Sequence, residues 1–106
     1  DNLDAEARIK AEAEEETGYR IERVERVFEA FMSPGSVTEK LHFFIARYDA
    51  SQRVSDGGGM KEEGEDIDVV EMPFADALAA IGDGRIVDAK TIMLLQHLAL
   101  SGRLNA

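Results

Sequence analysis

The stretch from Glu12 to Tyr19, Glu-Ala-Glu-Glu-Glu-Thr-Gly-Tyr, limits what this chain can fold into more than any other. Upstream of it, from about Asp4, helix formers dominate. Ala5, Ile9 and Ala13 recur every four residues and so share one apolar stripe. Gly18 supplies the stop, because glycine enters the left-handed conformation that ends many helices. The spacing therefore predicts a helix over 4–17 with Glu12, Glu14, Glu15 and Glu16 in its last turns. This is the unfavourable end. The terminal carbonyls carry partial negative charge, and each exposed carboxylate there costs about 0.3–1 kcal/mol. Glu12 also faces Glu15 and Glu16 at helical spacing, where like charges repel by a few tenths of a kcal/mol per pair, roughly. No Lys or Arg follows within the helix to offset this. Hard carboxylate oxygens so arranged suit Mg2+. The competing reading is a solvated acidic face.

A chain of 106 residues that is 44% hydrophobic holds one domain with a modest core. The formal net charge of −10 argues against a nucleic-acid surface, which needs Lys and Arg to neutralise phosphates. A small phosphorylated substrate is compatible with that charge when metal ions bridge it to carboxylates. There is no cysteine, so neither disulfides nor thiolate metal sites contribute, and a reducing, cytoplasmic setting is expected. No apolar run is long enough for a membrane-spanning helix, and no membrane partner is expected.

Beyond Gly18, alternating apolar residues predict a strand over 26–32. Ser33-Pro34-Gly35-Ser36 reads as the turn of an antiparallel hairpin, and Glu39 to Tyr48 as its second strand. Leu41, Phe43 and Ile45 lie on one face of that strand and His42, Phe44 and Ala46 on the other, so it is expected to be central and covered on both sides. Residues 49–64, with Gly57-Gly58-Gly59 at their middle, read as a flexible loop, either functional or disordered. A third strand is expected over 67–72. Pro73 then opens a helix that carries Phe74, Ala77, Leu78 and Ile81 on one side and ends at Gly82 and Gly84. Asp88 is the expected N-cap of a last helix that stops before Gly102. His42 and His97 are read as packing or surface residues rather than as bases.

Glu12, Ala13, Glu15, Glu16, Gly18 and Tyr19 resemble, in register, the second half of the Nudix box, which reads Arg-Glu-apolar-x-Glu-Glu-x-Gly-apolar. Ala11 occupies the arginine slot, and Asp4 stands near the upstream acidic position. The chain opens on Asp1 inside this motif, so a fragment is expected, with the first half of the box and the N-terminal strands missing. Glu63-Gly64-Glu65-Asp66-Ile67 is similar to the Glu-x-Glu-Asp-Ile loop of Nudix enzymes that act on ADP-ribose and related diphosphate sugars. Phe31 to Gly35, Val37-Thr38-Glu39, His42-Phe43-Phe44, the three glycines and Asp88-Ala89-Lys90-Thr91 narrow the resemblance to the GDP-mannose and ADP-ribose pyrophosphatase branch.

The resemblance implies an α/β (α+β) Nudix fold, a mixed sheet sandwiched between helices, of which 1–106 would be the C-terminal part of a single domain. It implies hydrolysis of the diphosphate bond of a nucleoside diphosphate sugar. Glu12, Glu15, Glu16 and Glu65 would be ligands of Mg2+ or Mn2+. Glu63 would be the catalytic carboxylate, and Ser33, Glu39 and Lys90 would contact substrate. It also implies a homodimer formed through the missing N-terminal region. A second reading is a Nudix-like sensor that binds a nucleotide sugar without cleaving it, with Ala11 as the mark of lost activity.

Overall fold

The expected acidic helix is α1 (Asn2–Thr17). Ala5, Ile9 and Ala13 are half-buried along its inner face, as their spacing predicts. Its end is set by side chain and backbone together. The Thr17 hydroxyl donates to the Ala13 carbonyl at 2.6 Å and accepts from the Tyr19 N–H at 3.2 Å. Gly18 then turns the chain at φ 83°. The structure is a computed structural model that describes residues 2–32, 39–60, 62, 64 and 66–103.

The hairpin follows as β1 (Glu25–Phe31) and β2 (Lys40–Ile45), antiparallel, with Glu25 opposite Ile45 and Phe31 opposite Lys40. The predicted turn over 33–36 lies outside the described residues. The register slips between Arg26 and Phe28, which leaves Val27 as an extra residue. A one-residue slip moves every later side chain to the other face. Here it sets Phe28 opposite Phe43, their rings stacked with centroids 4.4 Å apart. Such a pair adds about 0.5–1.5 kcal/mol beyond burial. Phe43 is 4% exposed.

Two expectations for the sheet need correction. Among the described residues β2 pairs with β1 alone, in a two-stranded hairpin, so it is not the central strand that its apolar character on both faces suggested. Nor is there a strand over 67–72. Val70 is 69% exposed, and Val69 and Met72 are exposed as well. A strand exists only where a neighbour takes up its N–H and C=O groups along its length, and no such ladder forms over this stretch among the described residues, although Ile67 N–H reaches the Gly58 carbonyl.

Residues 49–53 are more ordered than predicted. Asp49 caps a 3-10 turn, Ala50–Gln52, its carboxylate accepting the Ser51 N–H at 2.9 Å while its own N–H donates to Gln52 Oε1 at 2.8 Å. Arg20 N–H donates to the Gln52 carbonyl at 2.8 Å, Gln52 Nε2 donates to the Arg20 carbonyl at 2.9 Å, and Tyr19 bridges to Arg53. The rings of Tyr19 and Tyr48 meet edge to face at 4.6 Å. These contacts stitch the chain that follows β2 to the chain that follows α1.

By backbone contacts the chain divides into two compact units, Asp1–Val69 and Val70–Ala106. The second contains α2 (Phe74–Gly82) and α3 (Ala89–Ser101), which pack on each other. Ala77 and Ala80 are buried. Asp88 caps α3 as predicted, its carboxylate accepting the N–H and the hydroxyl of Thr91, each at 2.9 Å. Gly102, at φ 72°, ends it. The architecture is α+β, as expected, and its order of helix, hairpin, glycine-rich segment, helix, helix is consistent with part of a Nudix fold.

Candidate functional site

The glycine run is docked on the end of α1. Gly58 N–H donates to the Glu16 carbonyl at 2.8 Å and Gly59 N–H to the Glu15 carbonyl at 2.9 Å, so two of the carbonyls that a helix end leaves unpaired are satisfied by backbone from far along the chain. Val54 and Ser55 N–H both reach the Gly18 carbonyl, at 2.7 and 3.2 Å. Ile67 N–H donates to the Gly58 carbonyl at 2.9 Å, which brings the far stem of the acidic loop to the same place. Gly57, Gly58 and Gly59 have φ of 73°, 101° and 87°. The expectation of a flexible loop is therefore corrected here: the glycines serve close backbone approach, and their conformational freedom has been used up in making it.

The predicted site residues divide into three groups. Glu12, Glu15 and Glu16 stand on the last turns of α1, Glu12 and Glu15 exposed and Glu16 half-buried. Glu12 also lines a cleft of about 460 Å3 between α1 and β2. Across that cleft lies Glu39, with Lys40 and His42 beside it and Arg8 on the helix side. The fold thus brings together Glu12 and Glu39, which the sequence nominated for separate reasons. Lys90 is exposed in the first turn of α3, in the other unit. Ser33, Glu63 and Glu65 lie outside the described residues.

Among the described residues, no three His, Asp or Glu side chains converge closely enough to hold a metal ion. The α1 carboxylates supply oxygen donors of the right chemistry for Mg2+ or Mn2+, and a complete ligand set requires groups beyond this helix, such as the acidic loop whose stems are pinned beside it.

Sequence reasoning missed several cations. Arg20 lies just past the helix, where no helical spacing reveals it, and folds back so that its Nε donates to Glu14 Oε1 at 3.0 Å. That hydrogen bond to the Glu14 carboxylate raises the Arg20 guanidinium above its ordinary value. The offset sought for the crowded helix end thus comes from outside the helix, and it goes to Glu14. On the hairpin, Glu29 gathers Arg26, His42 and Lys40, with His42 Nδ1 at 3.0 Å from Glu29 Oε1 and Lys40 Nζ at 4.0 Å from Oε2. Arg26 also lies over the Phe44 ring at 5.5 Å, and its Nη2 is buried with no hydrogen-bond partner among the described residues. Alternation along β1 and β2 was the available signal for this cluster, but the slip at Val27 put it out of register. His42 is a partly exposed surface residue, in line with its expected role.

An acidic helix end with glycine-rich backbone docked on it thus lies beside a charged cleft. Over nearly its whole length the chain is homologous to proteins named GDP-mannose pyrophosphatase. It is 56% identical to that of Pectobacterium atrosepticum over 102 residues, 96% of this chain and 52% of the relative. It is 55% identical to that of Yersinia enterocolitica over 104 residues, 98% of this chain and 53% of the relative. With that of Cronobacter sakazakii the identity is 53% over 102 residues. The chain spans about half the length of the curated relatives it matches. No protein-family model matches the chain. The homology bears out the resemblance that the half box and the acidic loop suggested. No helix among the described residues is long and apolar enough to cross a membrane.

Proposed function

We propose that this chain forms part of a hydrolase site that cleaves the diphosphate bond of a nucleoside diphosphate sugar, GDP-mannose or ADP-ribose, to a sugar phosphate and a nucleoside monophosphate. The observation that carries the proposal is the pinning of both stems of the acidic loop, Gly58 and Ile67, at the end of α1 that bears Glu15 and Glu16. The names of the relatives supply the substrate class.

In this reaction water attacks one phosphorus and the bridging P–O bond breaks. One product keeps the bridging oxygen, the other gains the water oxygen, and the protons are taken up by bases. Positioning and charge neutralisation account for most of the catalysis. Glu12, Glu15, Glu16 and Glu65 would hold Mg2+ or Mn2+, which when bound neutralises phosphate oxygens and acidifies water. Glu63 accepts the proton of the attacking water. Glu39 orients the substrate from the β2 side of the cleft, and Ser33 and Lys90 are further substrate contacts. The same reading makes the protein a cytoplasmic homodimer.

The test is incubation of the protein with GDP-mannose or ADP-ribose and Mg2+, the products being followed by phosphorus NMR. A sugar phosphate and a nucleoside monophosphate are expected, and Glu63→Gln should lower turnover about 10²–10⁴-fold, the usual contribution of a positioned acid or base. Tight binding without products would instead establish the sensor reading. Undiminished turnover in Glu63→Gln would remove the base from Glu63.

A further inference from the structure

We infer that Gly57 and Gly58, together with Gly18, form a backbone clamp that positions the Glu15 and Glu16 carboxylates for the reaction proposed above. The inference rests on that reading for its chemistry and on the described backbone for its geometry.

Three observations carry it. The first is where the hydrogen bonds end. The last turn of a helix frays in water because its carbonyls lack partners. Here the carbonyls that are held are those of Glu15 and Glu16 themselves, by the N–H groups of Gly59 and Gly58.

The second is that Gly18 and Gly57 exclude side chains from each other. A Cβ on Gly18 would fall well inside contact distance of the Ser55 carbonyl oxygen and 2.8 Å from Gly57 N. A Cβ on Gly57 would lie 2.5 Å from the Thr17 carbonyl carbon and 2.7 Å from the Glu16 carbonyl oxygen. Positive φ alone does not account for this, since Gly84 and Gly102 have positive φ with nothing within 4 Å of a Cβ.

The third is that the run is braced at both ends. Gly57 N–H donates to Ser55 Oγ at 3.2 Å, and Arg53 holds the entrance through Nε to the Ser55 carbonyl and Nη2 to Asp56 Oδ1, both at 3.1 Å. At the exit, Ile67 N–H reaches the Gly58 carbonyl. Gly57 to Gly59 act as a strut against which the end of α1 is set.

The experiment combines amide hydrogen exchange with steady-state kinetics on the protein. In the wild type, the Gly58 and Gly59 amides should exchange as slowly as those in the middle of α1. Exchange at the rate of an unstructured peptide would overturn the clamp. Gly57→Ala should release the protection of Gly18, Gly58 and Gly59 and lower kcat about 10²-fold with little change in KM, the effect expected when reacting groups are misplaced by about 1 Å. Gly84→Ala has similar φ but open space, and should leave kcat unchanged. If Gly57→Ala does not fold, Ser55→Ala serves instead. It removes the acceptor for the Gly57 N–H without a clash and should give a smaller loss of protection and of kcat together. Lost protection with wild-type kcat in either variant would overturn the positioning role. Absence of hydrolysis in the wild type would defeat the reaction reading, while the exchange data would still decide the clamp.

Discussion

α1 and α3 both end on a glycine in the left-handed region, Gly18 at φ 83° and Gly102 at φ 72°, yet only one of these ends is built upon. Gly102 closes α3 with its N–H on the Ala99 carbonyl at 3.3 Å, and it is exposed. Gly18 is buried, accepts two backbone N–H groups on its carbonyl, and meets the backbone of Ser55 and Gly57. One glycine answers a local need, to turn the chain without a Cβ penalty. The other answers that need and a second, to let two stretches of main chain touch. The same residue in the same conformation therefore marks a plain helix stop in one unit and the base of the proposed site in the other.

The largest expected effect separates these two roles. Gly18→Ala combines left-handed strain of about 1–2 kcal/mol with a backbone clash of the kind that costs a further 1–3 kcal/mol or so. Gly102→Ala carries the strain alone, about 1–2 kcal/mol. Urea denaturation should show Gly18→Ala as clearly the worse, and equal losses would break the contrast. Asparagine sharpens it, because Asn tolerates positive φ: Gly102→Asn should stay close to wild type, whereas Gly18→Asn should lose about as much as Gly18→Ala.

The start of α3 should give a smaller, pH-dependent effect. The Thr91 backbone N–H, and then its hydroxyl, hold the Asp88 carboxyl below its ordinary value of 3.8. A carboxyl lowered in the folded state contributes stability that is fully present above its unfolded value and lost as pH falls through the folded one. Wild type should accordingly lose helix stability in acid, and Asp88→Ala should be less stable near neutral pH and show less of that acid dependence by circular dichroism. The smallest effect is expected at Arg20, whose ion pair with Glu14 is exposed and screened by solvent. Arg20→Ala should leave the urea midpoint unchanged within error. A large loss there would mean that the end of α1 depends on charge as well as on glycine.

The helices were legible because their signals are local. Ala5, Ile9 and Ala13 repeat at helical spacing, Asp88 offers a cap, and Gly18 and Gly102 stop the chain. The hairpin was legible as a pair of strands, but its register was not, since the extra residue at Val27 leaves no mark in the alternation. The strand expected over 67–72 failed because apolar residues make a strand only when a partner is present to bond them. The cleft was half legible: Glu12 and Glu39 were nominated, but Arg8 was not, because its nearness to them depends on how α1 and β2 lie on each other. Arg20 was passed over because it stands beyond the helix it serves.

Residue order was sufficient to say where α1 and α3 stop, that Asp88 begins a helix, and that Glu12, Glu15 and Glu16 crowd an unfavourable helix end, because dihedral preference and helical spacing act between near neighbours. It was not sufficient to say that Gly57 and Gly58 would press against that end. In sequence, three consecutive glycines mean freedom. Only with Gly58 and Gly59 bonded to the carbonyls of Glu16 and Glu15 do the missing side chains of Gly18 and Gly57 become the condition for contact, since main chains can meet that closely only where no Cβ stands between them.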